Sequence, residues 1–366
     1  MASTDRVSKE GLTPLPQFKG NPGWEFTDIS KLDLGSFEPE EPVDAAPAIF
    51  DMPANAAPLD GGHELLGSVV TKEDAFTVRN RERWEHGALV HVPAGERLEE
   101  PVVIRAGVGD ALEWRTLIVL EEGAEAEVWE EWVSGNGGEG FFNGVTEIVL
   151  GEGATLHYVG AQALNDSTWV FANQRAVVAR DATLDWSALA FGSMRGKVWM
   201  ETKLAGQGSS ARVTGAYVSD GRQHLDFDTL QEHAAPDTVS DLAFRGVLGG
   251  RSSAVWRGMI QVDPGAQKTD AFQECRNLLL SKKAHADAIP GLEIQADDVR
   301  CTHAAAIAQL DKDQVFYLRS RGLPEHTAQR LIIDGFLQEL VARLAEGQIR
   351  EITAGALEAR LAELLA

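Results

Sequence analysis

Short runs rich in β-branched and other apolar residues recur along the middle of the chain, and each run ends near glycine, aspartate or proline. Such runs are typical of β-strands, and those in which apolar and polar residues alternate predict one buried face. The runs are Ala88–Val92, Pro101–Ile104, Thr116–Leu120, Ala126–Val133, Val145–Leu150, Thr155–Val159, Ala176–Ala179, Thr183–Leu189, Ala211–Val218, Ser253–Val262 and Val315–Leu318. The pattern therefore predicts a mainly β core over residues 86–320.

Several of these runs follow the same small-residue turn, which we call the turn tile. Its copies read Glu122-Gly123-Ala124-Glu125, Glu152-Gly153-Ala154-Thr155, Arg180-Asp181-Ala182-Thr183 and Gln207-Gly208-Ser209-Ser210. The second residues of successive copies are 30, 28 and 27 residues apart, and Gly249–Val255 resembles a later copy. A near-constant period of this size indicates stacked coils that each bury a face on the next. The sequence thus favours a β-solenoid, with a jelly roll or another β-sandwich as the alternative.

The regions on either side of the predicted core differ from it in composition and in the spacing of apolar residues. Residues 1–85 contain the aromatic cluster Trp24–Asp28 and a linker rich in proline and alanine. They predict a helical or irregular N-terminal region that docks by its aromatic side chains. Residues 321–366 carry apolar residues at helical spacing over Leu331–Leu344 and again over Leu357–Leu365. We expect these helices either to cap the core or to provide a docking site for a partner.

Composition and motifs narrow the function classes. The formal net charge is −23, which is unsuited to a nucleic-acid-binding surface. The longest apolar runs fall far short of the roughly 18 residues that a membrane span needs, and residues 1–10 lack the apolar stretch of a signal peptide. A cytoplasmic protein without a membrane partner is therefore expected. The sequence holds no phosphate-binding loop, serine nucleophile elbow or zinc-binding helix motif.

The sharpest chemical pattern is Cys301-Thr302-His303. Residues i and i+2 of a strand project to the same side, so this thiol and imidazole would point together toward one soft metal or cluster edge. Zinc and most cluster sites use four ligands, and the others would have to come from Cys275 or from another chain. Cys275 precedes Cys301 by 26 residues, about one repeat, so adjacent coils could stack them. The alternative is that the cysteines act only as small apolar residues.

The last third of the chain resembles the SufB/SufD family of iron–sulfur cluster assembly proteins, and most of all its SufD members. The resemblance rests on Ala271–Ser281, Pro290–Ile294, Asp297–His303, Asp313–Leu318, Ser320–Gly322 and Leu331–Phe336, with weaker likeness at Trp24–Asp28 and Val90–Gly95. Two features depart from the SufD pattern. Beside the histidine, Thr302 replaces a serine and Ala304 stands where a glycine is usual, and Cys275 falls near a cluster cysteine of the SufB paralogue.

The resemblance implies a right-handed parallel β-helix core with flanking α-helical N- and C-terminal regions, in a scaffold subunit that is not itself an enzyme. The implied partners are a SufB-like paralogue, paired through the β-helices, and a SufC-like ABC-type ATPase docked around Leu331–Leu344. His303 and Cys301 would contribute to a site for a transient iron–sulfur cluster at the subunit interface. The resemblance leaves open whether the complex also carries reduced flavin and whether the chain forms a homodimer when alone.

Two other functions stay open at the level of sequence. A β-helix lyase or hydrolase acting on carbohydrate would need carboxylates aligned across a cleft, which neighbours such as Asp297 and Asp298 do not establish. A purely structural adaptor would hold the ATPase without contacting iron. Iron incorporation after mutation of His303 and Cys301 separates the adaptor from the assembly subunit.

Overall fold

The computed structural model describes residues 14–37, 50–51, 56–134, 138–344 and 347–364. Much of the predicted proline-rich linker lies outside these residues. Two nine-stranded sheets face each other, and within the coils every strand pairs in parallel with the strand of the next coil. Sheet A contains β1 (Phe50–Asp51), β4 (Val102–Val108), β6 (Glu125–Ser134), β8 (Thr155–Ala163), β10 (Thr183–Ala190), β12 (Ser210–Ser219), β14 (Val239–Leu248), β16 (Asp270–Leu279) and β18 (Arg300–Gln309).

Sheet B provides the other strand of each coil. It contains β2 (Ala57–Pro58), β3 (His86–Val92), β5 (Ala111–Leu120), β7 (Gly140–Leu150), β9 (Thr168–Val178), β11 (Arg195–Leu204), β13 (His224–His233), β15 (Ser253–Val262) and β17 (His285–Ile294). The chain alternates between the sheets, so β3 to β18 form eight coils of a parallel β-helix within the described residues. The predicted solenoid is therefore confirmed, and the sandwich alternative is wrong.

The turn tile forms one corner of every coil that it was predicted to start. Gly123, Gly153, Asp181 and Gly208 all have positive φ angles, between 56° and 75°. The amide of Gly123 donates to Glu152 O (2.8 Å) and that of Gly153 donates to Arg180 O (2.9 Å), so successive turns are hydrogen-bonded into a ladder. Glycine favours this left-handed backbone because it has no Cβ atom.

The predicted later copy of the tile, Gly249–Val255, is wrong. It lies between β14 and β15, at the opposite corner, where the chain enters sheet B rather than sheet A. The ladder instead continues through Asp237 and Lys268, which have positive φ angles of 58° and 61° without any glycine. The amide of Asp237 donates to Gln267 O (2.9 Å), as the ladder requires.

The interior between the sheets is filled by large side chains from alternate strand positions. Trp114, Trp186, Trp256, Tyr158 and Phe244 are each at most 1% exposed. This alternation is the one seen in the sequence, and it is the main source of hydrophobic stabilisation in the coils.

An N-terminal strap, residues 14–37, crosses the outer face of sheet B and includes a short 3-10 helix (Leu34–Phe37). Trp24 of the strap packs against Phe76, Phe171 and Trp199, with ring centroids 5.7 to 6.2 Å apart. Phe76 belongs to helix α1 (Ala75–Arg83), whose N-cap Asp74 forms a capping box. The aromatic residues near Trp24 therefore anchor the strap to the solenoid.

The C-terminal helices are α2 (Lys312–Ser320), α3 (Glu325–Val341) and α4 (Gln348–Leu364). Ile333, Leu337 and Leu340 of α3 pack on apolar residues of the outer face of sheet A, so α3 and α4 cover a side of the solenoid rather than its end. The run Val315–Leu318, predicted as a strand, lies in α2, which begins where Asp311 accepts the amide of Asp313 (2.8 Å). No helix among the described residues is long and apolar enough to cross a membrane.

Candidate functional site

The two ends of the β-helix differ. At the N-terminal end, the short strands β1 and β2 pair antiparallel with β4 and β3 and so cover part of both sheet edges. At the C-terminal end, β17 and β18 are the last strands of their sheets. An unpaired strand edge is a template for another strand. The C-terminal end is therefore the open end of the solenoid.

The backbone of β18 offers an uninterrupted pairing edge. Its even-numbered amides face β16, as Arg300 N bonding Thr269 O (2.8 Å) and Leu310 N bonding Leu279 O (3.2 Å) show. Because N–H directions alternate along a strand, the odd-numbered amides face outward. They are Cys301, His303, Ala305, Ile307 and Gln309. No proline interrupts this set, so a further strand could pair along all of β18.

The edge of β17 is interrupted. The amides of His285 and Gln295 donate to Ser252 O (3.1 Å) and Val262 O (2.9 Å), so the odd-numbered amides of β17 face β15. The even-numbered positions face outward, and one of them is Pro290, which has no N–H. Proline on an edge strand discourages pairing with another chain. Of the two terminal strands, β18 is the better pairing edge.

Cys301 and His303 project to the same side of β18, as predicted. Cys301 is opposite Ala271, and His303 is opposite Gln273, and both of these β16 residues are buried in the interior. Cys301 is half-buried against a cluster containing Ile260 and Val262, whereas His303 is exposed. Burial, with a smaller contribution from Asp270, raises the pKa of Cys301 above its usual value. Cys301 and His303 therefore lie side by side at the open end of the solenoid, and His303 is accessible to solvent.

Gln273 lies in the coil beneath Cys301 and His303, and no sequence pattern predicts a role for it. Its Nε2 donates across the interior to Gly258 O (3.2 Å) and Gly291 O (3.0 Å), so it ties β16 of sheet A to β15 and β17 of sheet B. It lies directly under His303 in the strand register. The cross-sheet bonds fix the spacing of the two sheets immediately below the imidazole. A lone glutamine in a strand carries no sequence signal for this role.

Cys275 does not stack on Cys301 or His303. In the register it lies opposite Ala305, four residues along β16 from the partner of Cys301. It is fully buried, and Asn277 Nδ2 lies 3.5 Å from its sulfur. Burial raises the pKa of the Cys275 thiol to about 12. The prediction that adjacent coils bring the two cysteines together is therefore wrong, because the spacing of 26 residues is shorter than the 30-residue offset between β16 and β18.

A second exposed surface lies on the C-terminal helices. Phe316 and Tyr317 of α2 are 71% and 56% exposed, and Leu331 of α3 is 53% exposed. Tyr317, Leu318, Leu331 and Ile332 line a groove of about 440 Å³ between the two helices. Exposed apolar side chains that cluster in this way mark interaction sites. The opposite face of α3 is already buried on sheet A, whereas the α2–α3 surface is open to a partner.

The fold and the site define a parallel β-helix protein with an open strand edge at one end, and this edge carries a thiol and an imidazole. Within the described residues, no group of three or more His, Cys, Asp or Glu side chains is placed to hold a metal ion. Cys301 and His303 supply a thiol and an imidazole, both of which bind soft metals and iron–sulfur clusters once deprotonated.

Comparison with known proteins identifies the family. The family model described as "SUF system FeS cluster assembly, SufBD core domain" matches residues 103–336. A SufBD family protein of Mycobacterium tuberculosis is 31% identical over 82% of this chain and 77% of its own length. The cluster assembly protein SufD of Bacillus subtilis is 33% identical over 70% of this chain and 60% of its own, and that of Escherichia coli is 31% identical over 72% and 64%. The chain belongs to the SufBD family of iron–sulfur cluster assembly proteins.

Proposed function

We propose that this chain is a non-catalytic, SufD-like scaffold subunit that pairs with a SufB-like paralogue through the open end of its β-helix. In this proposal a nascent iron–sulfur cluster forms between the two subunits in the cytoplasm, and a SufC-like ATPase docks on the C-terminal helices. The observation that carries the proposal is the position of His303 and Cys301 on β18, the strand with an uninterrupted free edge. A partner strand along this edge would bring its own ligands beside them.

A site divided between two chains suits a cluster that must be passed on. Each subunit alone holds an incomplete ligand set, so separation of the subunits weakens the hold on the cluster. His303 is exposed and supplies an imidazole, which is a weaker and more readily protonated ligand than a thiolate. Cys301 contributes a thiol whose raised pKa keeps it protonated until a metal or a partner favours the thiolate.

The ATPase dock is proposed for the α2–α3 surface. Leu331 and Tyr317 are the exposed apolar anchors of this surface, and they lie on helices that follow directly after β18. Movement of α2 by a docked ATPase would therefore act on the end of the strand that carries His303. This connection links the dock to the pairing edge through a single turn, Leu310–Asp311.

The test uses the co-expressed complex of this chain with its paralogue and ATPase. His303→Ala and Cys301→Ala are each expected to lower the iron and acid-labile sulfide that the complex holds after anaerobic reconstitution, measured with the visible absorbance of the cluster. His91→Ala is the matched control, because His91 is an exposed histidine near the other end of the β-helix. Unchanged iron and sulfide in both site variants would remove the ligand role.

A structural adaptor without contact to iron is the second candidate, because the α2–α3 surface and the β18 edge are separate surfaces. Leu331→Ala is expected to weaken ATPase binding in a pull-down without changing pairing with the paralogue. If Leu331→Ala abolishes ATPase binding while His303→Ala and Cys301→Ala leave iron content unchanged, the adaptor is the correct function.

A further inference from the structure

The side-chain amide of Gln273 uses its donors but not its acceptor. Nε2 donates to Gly258 O (3.2 Å) and Gly291 O (3.0 Å), whereas Oε1 is buried and accepts no hydrogen bond from any described residue. The whole side chain is 0% exposed. Because a buried acceptor without a donor is destabilising, any N–H or O–H group that reaches this oxygen is stabilised there.

The position of this oxygen is fixed by its surroundings. A Cβ atom on Gly258 would lie 2.6 Å from Gln273 Oε1, so a side chain at this position would displace the amide. The two bonds from Nε2 to carbonyls of β15 and β17 hold the plane of the amide at the same time. Gln273 therefore presents an acceptor in a set place, one coil below the open end.

His303 is the neighbour of Gln273 on the open side. β16 and β18 pair in parallel with these two residues opposite each other, so both side chains project from the same face of sheet A. Neighbouring strands are about 4.8 Å apart, which puts the imidazole beside the amide. His303 is exposed, and no coil among the described residues lies beyond it, so its ring is free to turn. A ring N–H of His303 can thereby reach the Gln273 oxygen.

We infer that Gln273 is a positioning residue for the candidate cluster site, because its Oε1 accepts a hydrogen bond from one ring nitrogen of His303. The bond fixes which nitrogen carries the proton and leaves the other, unprotonated nitrogen to face the open end. Histidines that bind metals usually donate their second ring N–H to such an acceptor, which orients the ring and increases its basicity. This role of Gln273 rests on the proposed function in taking His303 as a ligand of the cluster.

The first measurement is the tautomer of His303 in the full chain without iron. Histidine-selective ¹⁵N labelling at pH 8.5, where an ordinary imidazole is neutral, reports which ring nitrogen is protonated, and His303→Ala assigns the signals. Gln273→Met removes the acceptor at similar volume and is expected to change the ratio of the two tautomers about fivefold, as loss of one neutral hydrogen bond would.

Gln231→Met is the matched control. Gln231 is a buried glutamine of β13 whose Oε1 likewise has no partner within the described part of the chain, but it lies two coils below the open end. Gln273→Glu is the second site variant. It keeps an oxygen acceptor but loses the two cross-sheet donors, and it is expected to retain the His303 tautomer of the unmodified chain. Circular dichroism confirms that each variant is folded.

The second measurement is the rate at which an iron chelator removes iron from the reconstituted complex. Gln273→Met is expected to raise this rate about tenfold, since loss of the partner of a ligating histidine weakens metal binding by about this factor or more. Gln231→Met is expected to leave the rate unchanged, because no metal ligand of the proposed site lies beside it.

A changed tautomer and faster iron release in Gln273→Met, with the unmodified tautomer in Gln273→Glu and Gln231→Met, support the inference. An unchanged tautomer in Gln273→Met overturns it and assigns Oε1 to an interior donor, the indole N–H of Trp256, whose ring also lies beside Gly258. Equal changes in Gln273→Met and Gln273→Glu overturn it too, since they would follow from the lost cross-sheet bonds.

The proposed function is judged separately by the iron content of His303→Ala. If His303→Ala lowers the iron content while Gln273→Met leaves the release rate unchanged, the proposed function stands and the positioning role of Gln273 is lost. If His303→Ala keeps its iron, the ligand role of His303 is lost, and the positioning role of Gln273 is lost with it, whatever the tautomer.

Discussion

Two buried histidines are expected to make the protein unstable in mild acid. His224 lies under the N-terminal strap, where Thr27 donates to Asp226 and is therefore left to accept from His224 Nε2 (2.9 Å). Ser253 Oγ lies 2.7 Å from His224 Nδ1 and can donate to it. These partners satisfy both ring nitrogens of the neutral imidazole. Burial, with smaller contributions from Arg195 and Lys197, lowers the pKa of His224 to about 4.

His233 is the second such group, at the corner between β13 and β14. It is fully buried, and its two ring nitrogens lie 2.8 Å from the hydroxyls of Thr238 and Ser240. Burial lowers the pKa of His233 to about 4 as well. Both groups are therefore neutral in the folded chain at a pH where the unfolded chain protonates them.

The sign and size of the effect follow from proton linkage. Between pH 6.5 and about 4 each histidine binds a proton only in the unfolded chain, so the free energy of unfolding falls as the pH falls. Each pKa unit is worth about 1.4 kcal/mol, so each histidine costs on the order of 3 kcal/mol across this window. The stability that the neutral rings contribute is complete above pH 6.5 and is lost below about pH 4.

The assay is urea unfolding followed by tryptophan fluorescence at pH values from 7.5 to 4.5. His224→Gln and His233→Gln are expected to be less stable than the unmodified chain at pH 7.5, by about 1–3 kcal/mol, because hydrogen bonds are lost. They should also lose less stability on acidification, since one titrating group is gone. His326→Gln, at an exposed position on α3, is the control. Parallel pH profiles for the unmodified chain and both buried-site variants would refute the reasoning.

Three further predictions concern the interior, the helices and the thiols. Glu130→Gln should lower the free energy of unfolding by about 3 kcal/mol, because this buried side chain accepts five side-chain hydrogen bonds and an amide NH2 would face some of the donors. Glu131→Gln, at a partly exposed position, should change the free energy of unfolding little; urea unfolding measures both. Leu337→Ala should cost about 3 kcal/mol and expose sites in α3 and α4 to limited proteolysis first, since it opens a cavity against sheet A. Iodoacetamide at pH 8 should modify Cys301 slowly and Cys275 only in denaturant, because burial raises the pKa of both thiols; rapid native labelling of Cys275, measured by mass spectrometry, would contradict this.

The candidate site could be predicted only in part. Positions two apart on one strand share a direction, so the spacing of Cys301 and His303 alone predicts that they point together. The pairing register between neighbouring strands cannot be predicted from spacing within one strand. The 30-residue offset between β16 and β18 puts Ala305 rather than Cys301 beside Cys275, and that offset depends on the lengths of two turns. The role of Gln273 is not predictable from sequence, because it consists of hydrogen bonds to two other strands.

The repeating coil can be predicted from the residues alone, since the strand-forming runs and the spacing of the turn tile are patterns of neighbouring residues. Which surfaces remain open depends on the packing of the folded chain. The packing of α3 on sheet A leaves the α2–α3 groove exposed, and the direction of the outward amides makes β18 a continuous edge while Pro290 interrupts β17. These features depend on which groups have already been paired or buried by distant parts of the chain, and no local pattern contains that information.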